Sequence, residues 1–247
     1  MPPFARPTFF ISDLHLSAAR PNINLMFARF MVDVAPAAER LYILGDLFDY
    51  WVGDDQLDCD PLAVVVAAHL RQLADTGTLV YLMHGNRDFL LGERFARAAN
   101  LEIVIDPLSI SLGNTAALLM HGDTLCTDDV NYQKFRAKVR SPAWQQATLA
   151  KPIADRLALA ASIRSQSDVE KSMKAEAIMD VNADAVLRAF DEHAVSVMVH
   201  GHTHRPMRHE VLVAGSRAVR WVLQDWHEVG GYLSFESGEW VARVLQG

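Results

Sequence analysis

In Leu41-Tyr42-Ile43-Leu44-Gly45-Asp46-Leu47-Phe48-Asp49 an apolar run stops at a glycine and delivers a carboxylate. Such a run reads as a buried parallel strand ending in a turn, and open α/β sheets bind ligands beyond the carboxyl ends of their strands. Asp46 is therefore aimed at a site. Four other stretches repeat the arrangement. Thr8 to Ser12 runs into Asp13-Leu14-His15, Leu79 to His84 into Gly85-Asn86-Arg87-Asp88, Ala116 to Met120 into His121-Gly122-Asp123, and Val195 to Val199 into His200-Gly201-His202-Thr203-His204.

Around these ends the chain alternates. A helix is expected over Asn22 to Val34, a strand over Arg40 to Leu44, and a helix from Pro61 to about Ala74 with Asp60 as N-cap and Gly77 just past its end. A strand at 79–84, a short helix around Phe89 to Ala98, and strands near Leu101–Ile105, Leu108–Leu112 and Ala116–Met120 follow. From about 130 to 190 strand signal is nearly lost, and the spacing predicts an inserted cap of two to four helices, broken near Pro142 and Pro152. Strands return at Met207–Val213, Ala218–Leu223, Gly231–Phe235 and Glu239–Val244, as an antiparallel continuation closing a second sheet on the first. The expected organisation is a core of 1–129 and 191–247 with a helical cap at 130–190.

Composition narrows the classes. With 51% hydrophobic and 21% charged residues the 247-residue chain reads as soluble and globular, and a net charge of −7 argues against a general nucleic-acid binder. Cys59 and Cys126 form neither a disulfide framework nor a thiolate zinc site, which points to a cytosolic protein. Three prolines before Ile11 break any signal-peptide pattern, and the longest apolar run, Leu62 to Ala68, is far short of the roughly 20 residues that cross a bilayer, so membrane contact is peripheral. No protein partner is evident. Between Asn131 and Lys174 nine Lys/Arg face three acids, so a basic segment sits on an acidic body and suggests an anionic ligand beneath it; a solvated helix surface is the alternative.

Asp13, His15, Asp46, Asn86, His121, His202 and His204 all follow apolar runs with one polarity. Seven oxygen and imidazole groups without thiolate are too many for one tetrahedral zinc and suit two ions sharing a carboxylate. Manganese fits that donor set, and iron, cobalt and zinc remain compatible. Two ions about 3.5–4 Å apart lower the pKa of a shared water and clamp the entering and leaving oxygens of an in-line displacement at phosphorus. The expected chemistry is hydrolysis of a phosphoester or phosphoanhydride. A soluble nucleotide or sugar-diphosphate phosphoesterase, and a metal-poor scaffold, are the competing readings; the second should lack ligands, and none is missing. Asp49, Asp88 and Asp123 are expected to orient ligand imidazoles or turns, His200 to support the site from behind, and Trp51, Trp221, Trp226 and Trp240 to pack.

Asp13-x-His15, Gly45-Asp46-x-x-Asp49, Gly85-Asn86-x-Asp88, His121 and Gly201-His202-x-His204 together resemble the calcineurin-like metallophosphoesterases. The resemblance implies an α/β fold, a four-layer αββα sandwich of two mixed sheets. It also implies one metal on Asp13, His15, Asp46 and His204, and a second on Asp46, Asn86, His121 and His202, with Asp46 as bridge. Most members carry histidine where this chain has Arg87. A histidine there can protonate an alkoxide, whereas a leaving phosphate, with a pKa of about 6–7, needs little such help. A guanidinium offers bidentate hydrogen bonds and permanent charge to a diphosphate, so Arg87 favours P–O–P cleavage.

Longer matches, Gly45 to Trp51, His84 to Leu90, His121 to Asp129 and Ile178 to Asn182, resemble one branch of that superfamily, the UDP-2,3-diacylglucosamine diphosphatases of lipid A biosynthesis. This implies hydrolysis at the α-phosphorus to UMP and 2,3-diacylglucosamine 1-phosphate (lipid X), two Mn2+ per chain, peripheral attachment to the cytoplasmic face of the inner membrane, and a cap that receives acyl chains. By the same resemblance Asp46, Asn86, Arg87 and His121 are catalytic, and Asn86, Arg87, Asp129, Ser167, Lys171, Lys174 and His202 contact substrate. Lys171 departs from the asparagine expected there. The cap's apolar side, Phe135, Val139, Trp144, Leu149, Ile153, Leu157, Leu159, Ile163 and Met173, could serve either as core or as lipid slot.

Overall fold

The computed structural model describes residues 6–173 and 180–245, with backbone alone over 166–173. In chain order it comprises β1 (Thr8–Ile11), α1 (Pro21–Arg29), β2 (Arg40–Leu44), α2 (Pro61–Asp75), β3 (Leu79–Met83), α3 (Glu93–Ala99), β4 (Glu102–Val104), β5 (Leu108–Leu112) and β6 (Thr115–Met120). Then come α4 (Val130–Val139), α5 (Pro142–Leu149), α6 (Ile153–Met173), α7 (Ala183–His193), β7 (Val197–His200), β8 (Met207–Val213), β9 (Ser216–Val222), β10 (Gly230–Glu236) and β11 (Glu239–Leu245).

The strands form two sheets, ordered β11-β10-β1-β2-β3-β4 and β5-β6-β7-β9-β8. β1 to β4 are parallel, as are β6, β7 and β9, and antiparallel strands complete both sheets. Alternation assigns the faces. Phe9, Ile11, Leu41, Ile43, Val80 and Leu82 pack under α1, α2 and α3, while Phe10, Tyr42, Leu44 and Met83 meet Ala117, Leu119, Val197 and Val199 of the second sheet. Leu118, Met120 and Met198 turn the other way, onto Ala185, Val186 and Phe190 of α7. Every face of the central strands is covered, which is why their sequences read as continuous apolar runs. The layers are helix, sheet, sheet, helix, the four-layer mixed α/β sandwich expected.

Local signals explain most boundaries. Asp60 caps α2 by accepting from Leu62 N, with Pro61 at the first helical position, and Ala63, Val66, Ala67, Leu70 and Leu73 form its buried face. The helix expected over 22–34 is α1 continued by a π-helical turn, Phe30–Val34. The helix expected around Phe89 starts later, at Glu93, because the Asp54 carboxylate collects the amides of Gly92, Arg94 and Phe95 at 2.9, 2.8 and 3.1 Å.

Two expectations change. The last four strands do not close a single sheet: β8 and β9 join the second, whereas β10 inserts beside β1 in the first, with Phe9 opposite Ser234. Among the described residues the 130–190 stretch holds four helices, but α7, capped by Asn182 on Ala185 N, is the outer layer on the second sheet, whereas Arg140 at the end of α4 and Arg164 on α6 reach the strand-end loops at Gly85 O and Asp49. Phe190 is fully enclosed there, and Phe190→Ala is expected to cost about 3–5 kcal/mol in denaturant unfolding. A cost below about 1 kcal/mol would show that α7 is not an integral layer. The four tryptophans expected to pack do so, Trp51 and Trp226 in the helix-facing core and Trp221 and Trp240 against the core between the sheets. Among the described residues no helix is long and apolar enough to cross a membrane.

Candidate metal centre

The carboxyl ends of β1, β2, β3, β6 and β7 lie on one edge of the sandwich, and their loops are stitched together. Asp13 N donates to Gly45 O at 3.1 Å, His15 N to Asp46 O at 2.9 Å and Gly201 N to His121 O at 2.9 Å. Asp13, His15, Asp46, His202 and His204 all hold left-handed backbone angles, with φ between 50° and 68°. Non-glycine residues seldom adopt that region, and it tends to persist where surrounding structure over-determines it. Here it turns each side chain inward from a strand that has just ended.

All seven sequence-predicted ligands meet. The Nε2 atoms of His15 and His204 are 3.3 Å apart, and His204 Nε2 is 3.5 Å from Asp13 Oδ1. Asn86 Oδ1 lies 3.0 Å from both His121 Nε2 and His202 Nδ1. Between these groups sits Asp46, Oδ2 at 3.8 Å from His15 Nε2 and Oδ1 at 4.0 Å from His121 Nε2. Ligand atoms of Asp13, His15 and His204, and of Asp13, Asp46 and His121, each fall within 4.8 Å of one another. Two glycines make the crowding possible: a Cβ on Gly85 would stand 2.1 Å from Asp46 Oδ1, and one on Gly201 2.2 Å from Asp13 Oδ2.

The electrostatics call for positive charge. Asp13, Asp46 and Asp123 are buried within one neighbourhood. Burial, reinforced by Asp88 and Asp13 against His121, pushes Asp46 above the usual carboxylate range. Against the opposing effect of burial, Asp46, Asp123 and Asp13 lift His121 to about 9. Its Nδ1 hydrogen-bonds Leu44 O at 2.9 Å, so Nε2 is the atom facing the cage. Burial and then His121 lower His202 to about 3. Carboxylates that cannot all ionise unaided, with imidazole nitrogens converging on them, fit divalent cations with oxygen and nitrogen ligands.

A pH prediction follows for metal-stripped protein. A histidine raised from 6.5 to about 9 contributes stability that is present below the unfolded value and lost as pH rises through the folded one. Chelated protein should therefore melt at progressively lower temperature between pH 6.5 and about 9, and added manganese should flatten the curve. A chelated midpoint that is flat or rises across that window would contradict the assignment.

The model of the calcineurin-like phosphoesterase family matches residues 6–206. UDP-2,3-diacylglucosamine hydrolase of Cellvibrio japonicus (strain Ueda107) is 50% identical over 90% of this chain and 92% of its own. The protein of that name from Aromatoleum aromaticum is 50% identical over 92% of both, and that from Escherichia coli O7:K1 48% identical over 90% and 92%. The chain belongs to the calcineurin-like phosphoesterases, in the UDP-2,3-diacylglucosamine hydrolase family. As a member of that family it is a hydrolase, and its strand-end cage is a candidate site for divalent metal.

Other residues fill out this hydrolase's site. Arg87 N donates to Asp46 Oδ1 at 2.8 Å, and its Nε lies 3.9 Å from Asp46 Oδ2, so a permanent cation borders the cage. Asp88 locks two turns, accepting from Gly85 N and Leu47 N at 2.8 Å each, rather than touching an imidazole. His200 supports the loop from beneath through Gly201 O and Arg220 at 2.9 Å each. Asp129 caps α4 on Tyr132 N at 3.1 Å. Ser167 and Lys171 fall on α6 where side chains lie outside the described residues, as does Lys174 altogether.

The basic segment behaves differently from the sequence expectation. Arg136 bonds Asp123 at 2.7 Å, Arg140 bonds Gly85 O at 2.7 Å, Arg156 pairs with Asp55 and Val52 O, and Arg164 pairs with Asp49. Much of the positive charge thus clamps α4 and α6 onto acceptors of the sandwich. Tyr132, bonded to Asp123 at 2.6 Å with its ring 5.9 Å from that of His202, was not singled out from sequence; a tyrosine in the first turn after the Asp129 cap was the available signal. Asp225, 3.6 Å from His204 Nδ1, had no such local signal.

Proposed function

We propose that the chain hydrolyses the diphosphate of UDP-2,3-diacylglucosamine at the α-phosphorus, releasing UMP and 2,3-diacylglucosamine 1-phosphate in lipid A biosynthesis. The observation that carries this reading is Arg87, backbone-anchored on Asp46 and bordering the cage, in place of a proton-donating histidine. A permanent forked cation suits a diphosphate, whose leaving phosphate needs no general acid.

One ion would be held by Asp13, His15, Asp46 and His204 and another by Asp46, Asn86, His121 and His202, with manganese the favoured metal. When bound, the pair supplies positive charge to the phosphoryl oxygens and activates water at neutral pH. Arg87 orients the diphosphate, and Asn86 and His202 border the same oxygens. The cap α4, α5 and α6 takes the acyl chains: Phe135 and Leu149 are exposed, and Ile153, Leu157, Leu159 and Ile163 are half-buried, whereas Val139 is packed away. Apolar residues left accessible in three neighbouring helices suit a ligand with an anionic head and a greasy tail. Lys/Arg at the cap's rim would draw it to the anionic cytoplasmic face of the inner membrane.

The test is turnover of UDP-2,3-diacylglucosamine in ¹⁸O-labelled water by protein whose metal content has been measured. Label in UMP, with two manganese per chain, is expected. Label in the lipid phosphate would refute attack at the α-phosphorus. A water-soluble UDP-sugar cleaved equally fast would instead favour a soluble sugar-diphosphate phosphoesterase.

A further inference from the structure

The reaction proposed above makes no use of Asp49, yet that residue is built into the site with unusual connections. It is buried at 8% exposure, and its amide donates to Leu16 O at 3.1 Å, fixing the loop after β2 against the loop after β1. Its Oδ1 lies 3.4 Å from Arg87 Nη1, and its Oδ2 accepts from Arg164 Nη1 on α6. One buried carboxylate therefore joins a guanidinium of the core to a guanidinium of the cap.

The rest of Arg87 is held independently. Its amide donates to Asp46 Oδ1 at 2.8 Å and its carbonyl accepts from Trp51 N at 3.0 Å, so the backbone keeps its place whatever Asp49 does. The long, flexible side chain is different, because an arginine has many rotamers and only its charged tip engages the diphosphate. Without Asp49 the nearest carboxylate to that tip is Asp46, 3.9 Å from Nε. The guanidinium would then be drawn toward the cage instead of facing the incoming ligand. The cap is tied down elsewhere as well: Arg156, near the start of α6, bonds Val52 O at 2.6 Å and pairs with Asp55.

We propose that Asp49 is the positioning residue for Arg87 and that, through Arg164, it makes the aim of Arg87 depend on the seating of α6. The inference rests on the reading of Arg87 as the diphosphate-orienting group. Asp49→Asn keeps the shape and removes the charge. The expected result is a kcat lower by on the order of tenfold or more with KM within about twofold, because a misaimed guanidinium is felt chiefly in the transition state. Metal content and melting temperature should hold, and Asp49→Glu should recover part of the rate. In an Arg87→Gln background Asp49→Asn should cost little further in kcat, since what Asp49 sets in the reaction is the aim of that side chain.

Hydrogen exchange reads the cap arm with no substrate present. Amides around Arg164 should exchange faster in Asp49→Asn while those around Arg156 do not. An unchanged kcat, a loss that multiplies with that of Arg87→Gln, or a loss of metal in step with kcat would overturn the positioning role. Unchanged exchange around Arg164 would overturn the coupling to α6. Failure of the wild-type protein on the UDP-sugar lipid would remove the functional reading while leaving the exchange result standing.

Discussion

Asp46→Ala is expected to yield a folded protein that no longer retains divalent metal and hydrolyses its substrate on the order of a thousandfold more slowly. The carboxylate stands between the two groups of ligands, 3.8 Å from His15 Nε2 by one oxygen and 4.0 Å from His121 Nε2 by the other, so its loss weakens both at once. Charge stabilisation by metal ions at phosphorus is worth several kcal/mol, and about 4 kcal/mol corresponds to the stated loss. Folding should survive, because burial, with Asp88 and Asp13 nearby, already disfavours the ionised form, and removing it relieves repulsion. Elemental analysis, thermal melting and turnover measured on one preparation separate these effects. Near-normal turnover with added manganese would rule out a bridging carboxylate.

Arg87→Ala is expected to lower the rate about 10²–10³-fold with metal content unchanged, the range found when one preorganised charge-stabilising group is removed. The backbone amide that holds Asp46 Oδ1 at 2.8 Å is untouched by this substitution, so the cage should stay intact. Arg87→Lys should recover only part of the rate, since an ammonium is a point charge without the planar fork that matches a diphosphate. An unchanged rate in the alanine variant would remove the case for P–O–P cleavage, even if the metals were present and the protein hydrolysed other phosphoesters.

The seven convergent groups were legible because their signal is local: an apolar run covered on both faces, a turn, then a donor, repeated at Asp13, Asp46, Asn86, His121 and His202. The late start of α3 was not, because the carboxylate that caps it belongs to Asp54, 38 residues before Gly92. Nor was the sheet to which β10 belongs, since alternation shows which residues face a core but not which strand lies alongside. The basic excess between Asn131 and Lys174 is plain in the sequence, but a count of charges cannot distinguish an arginine facing a ligand from one already paired, and Arg136, Arg156 and Arg164 meet Asp123, Asp55 and Asp49. α7 carries a strongly amphipathic pattern that marks a packed helix, yet nothing in that pattern says which of two sheets it covers.

The placement of β10 between β11 and β1 bears on how the molecule is made. His15 and His204, whose rings meet, are 189 residues apart, and β1 gains its second neighbour only when residues 233–235 arrive. During synthesis, then, β1 waits with one side open until residues 233–235 have been made. The strand-end cage is therefore completed late, and a nascent chain halted before residue 204 lacks His204, one of its seven converging groups.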